Sequence, residues 1–373
     1  MLGVGRPAPP GEASAASGEG VAAMAAEEDF VRLTNPFRDE LLAYCYRMLG
    51  SIQDAEDQTQ ETLLRAWRSY DEFEGRASLR TWLYRIATNA CLRALEHRSR
   101  RPLPSGLGGP STDPEGHFAA VSPEIPWLQP IPDTLLGAAE ADPAAIVASR
   151  QSTRLALVAA LQYLPARQRA VLILRDVLAW RATEVAALLD TSSIAVNSIL
   201  QRARAQLEHV APREDDLAEP DDPSQRALLD RYVAAFENAD IAVLTRLLAE
   251  DAVWEMPPRV EWFTGRDTIG RLVAARCPAG PGDNRMVPTG ANGQPAFALY
   301  RRGEDGVHRA HSLQVLTVSR DRITRAVAFH QRELFVAFGL PLALPAKAVA
   351  ASHRTGRTSR HVTQGVARAP SCR

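Results

Sequence analysis

The stretch that most constrains the fold runs from Leu164 to Leu207, LPARQRAVLILRDVLAWRATEVAALLDTSSIAVNSILQRARAQL. Pro165 suits the first position of a helix, where its missing N–H costs nothing. Thr183-Glu184 opens a second helix with Val185, Leu188 and Leu189 turned inward, Asp190-Thr191-Ser192 makes a turn, and a further helix runs from Ser193 to Leu207. Val196, Ile199, Leu200, Ala203 and Leu207 form its apolar stripe. Ser193, Asn197, Gln201 and Arg204 lie opposite, flanked by Arg202. This is the outline of a helix-turn-helix, whose second helix enters the DNA major groove. Short polar groups at its N-terminal end can reach base edges, and arginines further along can meet phosphates. An ordinary three-helix bundle with a solvated face shares this periodicity, so the reading needs a companion motif.

Overall charge does not supply one. The formal net charge is −1 over 373 residues, so a DNA-binding surface must come from local segregation of charge. Hydrophobic residues make up 46% and charged residues 23%, ordinary for a globular protein of two or three domains. Cys45, Cys91, Cys277 and Cys372 stand alone, with neither CxxC nor Cys/His spacing. They read as reduced thiols of a cytoplasmic protein, and neither a metal nor another cofactor is expected. No apolar run approaches the length of a membrane span.

Composition divides the chain. Residues 1–26 are rich in Gly, Ala, Pro and Ser and read as a disordered leader, without the pattern of a secretion signal. Residues 27–101 are densely helical in pattern, and 102–143 form a Pro/Gly-rich linker with an apolar cluster at Trp127 that can dock. Helical pattern resumes over 144–210, an acidic linker occupies 211–223, and 224–342 has a different character. Helices are expected there at Gln225–Asn238 and Ile241–Ala249, then strands at Ala252–Met256, Ala296–Tyr300, Ala310–Val318 and Arg322–Phe329, an α+β arrangement. Residues 343–373 read as a basic disordered tail.

The companion motif lies in the first helical region. In SIQDAEDQTQETLLRAWRSY, Ala55, Thr59, Thr62, Leu63, Ala66, Trp67 and Tyr70 share one side at 100° per residue. Asp54, Asp57 and Glu61 share another arc, with Gln60 and Leu64 beside them. Ser51 and Asp54 read as a capping box, and acids favour a helix start, but Glu61 lies two turns in. Such a stripe suits a basic, partly apolar partner. The next helix, SLRTWLYRIATNACLRAL, is capped by Ser78 and buries Leu79, Leu83, Ile86, Ala87, Ala90 and Ala94. Thr81, Tyr84, Arg85, Thr88 and Asn89 face away, Trp82 sits at the boundary, and Arg76, Arg80 and Arg93 lie nearby. Arginines, rings and amides together fit single-stranded nucleic acid; a solvated face beside a core tryptophan fits the pattern equally.

DAEDQTQETLLRAW, followed by FEGRASLRTWLYRIATNACL, resembles the core-binding and minus-ten-reading domain of the sigma-70 family, most of all the small extracytoplasmic-function (ECF) sigma factors. The Leu164–Leu207 stretch is similar to that family's minus-thirty-five-reading domain. The resemblance implies a sigma factor, not an enzyme, that binds core RNA polymerase and directs promoter-specific initiation. It implies that Asp54, Asp57, Gln60 and Glu61 dock on the clamp coiled coil of the β′ subunit. Arg76, Arg80, Trp82, Arg85 and Asn89 would serve minus-ten DNA, and Ser192, Ser193, Ala195, Asn197 and Arg202 minus-thirty-five DNA. The family threads the inter-domain linker along the RNA exit path; this one is longer and more proline-rich than usual.

DRYVAAFENADIAVLTRLLAEDAVWEMPP, FTGRDTIGRLV and HSLQVLTVSRDRITRAVAFHQRELFVAFGLP resemble the SnoaL-like cone fold, a curved sheet with helices enclosing a pocket. The resemblance implies cis modulation of sigma activity, with a small ligand or regulatory protein as further partner. Trp254, Trp262, Tyr300, His311 and His330 are the principal pocket candidates, with Glu255, Asp267 and His308 beside them. A lone strand histidine is more often a hydrogen-bonded structural residue than a catalyst. The fold expected is thus multidomain: two all-α modules, the second with the helix-turn-helix, then an α+β cone. The rivals are a SnoaL-type pocket enzyme fused to a DNA-binding module and a dimeric helix-turn-helix repressor with a ligand-sensing domain.

Overall fold

Helical periodicity in the first module becomes α1 (Arg38–Leu49), α2 (Ile52–Arg68) and α3 (Leu79–Leu95) in a computed structural model of the chain. The structure describes residues 28–75, 77–96, 98–136, 152–208 and 223–345. The expected leader, nearly all of the acidic linker, the start of the second helical region, the tail from 346 onward and Arg76 lie outside them.

Helix α1 ends at Gly50, whose φ of +69° is cheap for glycine alone. A Cβ there would also stand 2.7 Å from Leu128 Cδ1, so the linker packs directly on this turn. Ser51 caps α2 by accepting from Asp54 N at 3.3 Å, and Ser78 caps α3 by accepting from Thr81 N at 3.1 Å. Each cap contributes about 1 kcal/mol. Ala55, Thr59, Thr62 and Ala66 are buried as their spacing requires, while Leu63, Trp67 and Tyr70 are half-buried. Phe30 closes over Trp67 and Tyr70 with ring centroids 5.2 Å away in each case.

The second module comprises α4 (Leu155–Leu161), α5 (Ala166–Leu172), α6 (Ala182–Leu188) and α7 (Ser193–Glu208). A wide turn, Ile173–Val177, extends α5. Arg181 N donates to Glu184 Oε2 at 2.7 Å to start α6, and Asp190 takes a left-handed φ of +50° in the turn before α7. Two buried guanidiniums join the modules. Arg47 of α1 donates to Ser152 Oγ at 2.8 Å, and Arg169 of α5 donates to the Met48 carbonyl and, at 2.8 Å, to Gln162 Oε1. Burial pulls both down to a pKa of about 10, which leaves them charged at neutral pH and dependent on those acceptors.

The third unit runs α8 (Pro223–Glu237), α9 (Ile241–Leu247), β1 (Leu248–Glu255), β2 (Trp262–Thr264), α10 (Arg266–Arg276), β3 (Asn284–Ala291), β4 (Gln294–Arg302), β5 (His308–Ser319), β6 (Arg322–Phe329), α11 (Glu333–Ala337) and β7 (Ala343–Leu344). The strand order is β2-β1-β6-β5-β4-β3, with β7 on β5 and only β1–β6 parallel. The four expected strands are present; β2, β3, β7, α10 and α11 go beyond the sequence expectation. Register shifts in β1–β6, β4–β5 and β5–β6 bend the sheet into a curve.

Period-two alternation assigns each sheet face its own core. Ala296, Ala298, Tyr300, Leu313, Val315, Val327 and Phe329 join one continuous core with both helical modules and the linker residues Leu128 and Ile131. Their neighbours Phe297, Leu299, Leu316, Ala326 and Ala328 join a second core with α8, α9 and α10. The sheet is therefore a wall between the helical body and the cone interior. The β3–β4 turn, Asn292-Gly293, has left-handed φ at both residues and plugs the junction. Asn292 is fully buried: its Nδ2 donates to Tyr46 Oη at 2.8 Å and to Thr153 O at 2.7 Å, and its Oδ1 accepts from Ile131 N at 3.0 Å. One side chain thus ties α1, the linker and the entry to α4.

The described part of the linker, residues 102–136, has short 3-10 turns at Pro104–Gly106 and Asp133–Leu135 and is held by docking instead. Trp127 is 4% exposed, so its apolar cluster does dock.

Candidate functional site

Helix α2 presents Asp57 and Gln60 to solvent, with Leu64 43% exposed beside them. Glu61 sits at the edge of this face and accepts from Arg65 Nε at 2.5 Å. Asp54 does not join the face. Its carboxylate is 15% exposed and bound by Arg98 and, at 2.5 Å, by Arg101. Of the four residues that the resemblance implies, three share this face, because Arg98 and Arg101, at the end of the first helical region, cover Asp54.

Helix α3 departs further from expectation. Tyr84 and Thr88, placed on the outward side, are fully buried, with Tyr44 Oη and Thr88 Oγ1 2.8 Å apart. Trp180, just before α6, packs on Tyr84 with ring centroids 5.1 Å apart. The helix has neighbours on two sides, α1 and the second module, and a single apolar stripe in the sequence reports only one. Leu79, Ile86 and Ala94 are correspondingly half-buried rather than deep. Arg80 Nε and Nη2 both contact the Glu40 carboxylate at 2.9 Å, and its guanidinium lies over the Tyr84 and Trp180 rings. The Glu40 hydrogen bonds raise its pKa further. Arg85 Nη2 meets both Asp190 oxygens at 3.0 and 3.1 Å, a bond across the two modules. Trp82 is half-buried against Phe73 at 4.8 Å, and Asn89 is exposed. The assigned arginines that can be described are both engaged within the molecule.

Helix α7 is open. Ser192, Asn197, Gln201 and Arg202 are exposed, and Ser193 and Ala195 half-exposed. Ser192 Oγ accepts from Ala195 N at 3.1 Å and caps the helix. Arg204 bonds Asp176 at 2.7 and 2.9 Å, which fixes the lower end of the helix to the α5 extension. Ile194, 79% exposed at the first turn, was not singled out by sequence pattern. An apolar tip at that point can meet a thymine methyl.

A cavity of about 360 Å³ lies on the cone side of the sheet. Of the pocket candidates, Trp254, His311 and His330 line it. Trp262 and Tyr300 do not: Trp262 Nε1 donates to Gly108 O at 2.9 Å on the outside, and Tyr300 faces the helical body, with its hydroxyl on Pro341 O at 2.9 Å. Both corrections follow from strand parity. Of the neighbouring candidates, Glu255 takes the opposite face from Trp254 and binds Arg325 at 2.5 Å, and His308 Nε2 lies 3.1 Å from Gly282 O. The His311 and His330 rings are 5.2 Å apart. Burial lowers both histidines, and His330, further lowered by His311 and Arg259, falls to about 4. Both are neutral at neutral pH.

Comparison with known proteins agrees with this layout. Residues 33–101 match the family model Sigma-70 region 2, residues 154–207 match Sigma-70, region 4, and residues 229–326 match the SnoaL-like domain. Over 315 residues the chain is 55% identical to the ECF RNA polymerase sigma factor SigG of Mycobacterium tuberculosis H37Rv, covering 84% of each. It is 29% identical over 244 residues to the ECF RNA polymerase sigma factor SigJ of the same species, 63% of this chain and 69% of that one. The crystal structure of Mycobacterium tuberculosis SigJ shares the fold, with a TM-score of 0.56 at 24% identity over 84% of this chain and 99% of that one.

Proposed function

Since the chain belongs to the ECF RNA polymerase sigma factors, we propose that three of its surfaces divide the work and that the packed arrangement is a closed state of it. As a member of that family it binds core RNA polymerase and promoter DNA, and acts by binding rather than bond chemistry.

In this reading Asp57, Gln60, Glu61 and Leu64 dock on the basic clamp coiled coil of the β′ subunit. The N-terminal turns of α7 read the minus-thirty-five element, with Asn197 on base edges and Arg202 on phosphate. Helix α3, with Trp82, Arg85, Asn89 and the loop that contains Arg76, holds the melted minus-ten strand. The observation that carries the closed state is the Arg85–Asp190 pair beside Trp180. A residue assigned to minus-ten DNA is bonded to the turn that positions the minus-thirty-five helix, so the two elements cannot be engaged at promoter spacing until the modules separate. The Asn292 plug supports a part for the SnoaL-like domain in this equilibrium, because it holds α1 and the entry to α4 together. That is cis modulation by a population shift between closed and open forms.

Run-off transcription with purified core polymerase tests the reading. The full chain and a version ending near Val210 should both direct initiation, the shorter one with less dependence on open-complex conditions. Asp57→Lys combined with Glu61→Lys should weaken core binding more than tenfold by fluorescence anisotropy. Unchanged affinity removes α2 as the docking face.

A further inference from the structure

The cone cavity has a composition that polymerase docking does not use. Its wall is apolar: Trp254, Phe236, Leu272 and Leu299 are within it. At its mouth stand two guanidiniums, Arg259 and Arg276, and no carboxylate is among the lining residues. Neither arginine has a carboxylate partner among the described residues. Arg276 donates to the carbonyls of Glu115 and Gly116, the former at 3.0 Å. Both guanidiniums clasp the Phe118 ring, at 5.0 and 4.4 Å from its centroid. With both histidines neutral, these two are the charged side chains among the described residues that line the cavity, and the Glu261 carboxylate stands beside the opening, where it accepts from Ala119 N at 2.5 Å.

Phe118 comes from the inter-domain linker, not from the cone. The linker is held along the β1–β2 edge of the sheet by Ser105 N on Glu255 Oε1 at 2.9 Å, Trp262 Nε1 on Gly108 O at 2.9 Å and Ser111 N on Trp262 O at 2.7 Å, and it is strapped beside the mouth by Ala119 N on Glu261 Oε1 at 2.5 Å. The strap leaves Val121 45% exposed and Phe118 only half-buried. A ring between two cations is a weak counterpart for them where water reaches it. A carboxylate in the same place would form charge-assisted hydrogen bonds, roughly twice as strong as neutral ones.

We propose that this cavity binds a small amphipathic anion, an apolar or aromatic carboxylate, whose acid group takes the place of the Phe118 ring between Arg259 and Arg276 and whose body lies deeper, against Trp254 and Leu299. The volume, about 360 Å³, falls within the roughly 300–1,000 Å³ of small-molecule sites. Ser312 and Gln314 lie deeper on β5, and Gln314 Oε1 is already taken by the Tyr232 hydroxyl at 2.7 Å, so polar groups at the floor are few. Occupancy releases the strap. The same linker continues to Gln129, which accepts from Tyr46 Oη at 2.7 Å, and to Ile131 at the Asn292 plug. Ligand binding in the cone is thereby linked mechanically to the junction of the two DNA-reading modules, whichever surface docks on polymerase.

The test uses the full chain and 2-naphthoate as probe, followed by calorimetric titration. Saturable one-to-one binding is expected, with no binding of the isosteric cation 2-naphthylmethylamine. Arg259→Gln should weaken binding at least tenfold. Phe118→Ala, which empties the mouth while retaining the cations, should tighten it severalfold. Circular dichroism must show both variants folded. Limited proteolysis between residues 105 and 121 should accelerate when the probe is bound. Equal binding of amine and acid, Arg259→Gln binding like wild type, or no saturable binding even by Phe118→Ala each overturns the proposal. Binding with an unchanged cleavage rate overturns the strap displacement. None of these outcomes depends on polymerase, so they stand apart from the transcription assay.

Discussion

Helices α3 and α7 carry the same kind of side chain and present it in opposite ways. On α7, Asn197 and Arg202 project into solvent and Ile194 stands 79% exposed. On α3, Arg80 lies on Glu40, Arg85 lies on Asp190, and Tyr84 is buried beneath Trp180. The difference is not one of composition. Helix α7 has a single packed side, whereas α3 sits between its own module and the next. In the proposed reading, the α7 face is free to meet DNA and the α3 face is held by intramolecular partners.

The sharpest way to break this contrast is Trp180→Ala. Trp180 is 6% exposed and supplies the contact that covers Tyr84. Loss of a buried tryptophan costs about 3–5 kcal/mol. The urea midpoint should fall accordingly, and Tyr84 and Arg85 should gain solvent access by hydrogen exchange of α3. If α3 protection is unchanged, the second module is not what shields it. A smaller effect is expected on the open side. Asn197→Ala should reduce affinity for duplex minus-thirty-five DNA by about 1–3 kcal/mol, the worth of one good base contact. Arg202→Ala should lower affinity alike for all sequences and reduce the slope of log affinity against log salt by about 1. Neither change should alter folding stability, since both side chains are exposed. The smallest effect belongs to Asp190→Asn, which tolerates the left-handed φ of +50° while removing the charge opposite Arg85. With the paired side chains 51% and 75% exposed, stability should change by less than about 1 kcal/mol. Binding of single-stranded minus-ten DNA should nevertheless rise modestly, because Arg85 no longer has a competing partner. If Asp190→Asn raises this binding as much as Trp180→Ala does in the same assay, the ion pair and not the aromatic contact is the closure.

How much of this was legible beforehand varied with the range of the interaction. The turn at Asp190-Thr191-Ser192, the caps at Ser51 and Ser78 and the buried stripe of α7 are local, and each lies where residue spacing puts it. Strand β2, three residues long, is too short to show an alternation, and Pro288 and Gly290 interrupt it in the eight-residue β3. Trp262 and Tyr300 were credited to the cavity on residue type, yet strand parity and the strap turn them elsewhere. Asp54 looked equivalent to Asp57 by helical phase, and only Arg98 and Arg101, arriving from beyond α3, distinguish the two.

Residue order by itself determined the helical modules, their sequence along the chain and which side chains share an arc, because periods of 3.6 and 2 are written in near neighbours. Tertiary structure alone decided which of those arcs stays exposed, where the proline-rich linker lies and that Phe118 closes a cavity built from another domain. Those outcomes depend on surfaces brought together from distant parts of the chain, and contact between such surfaces leaves no period in either of them.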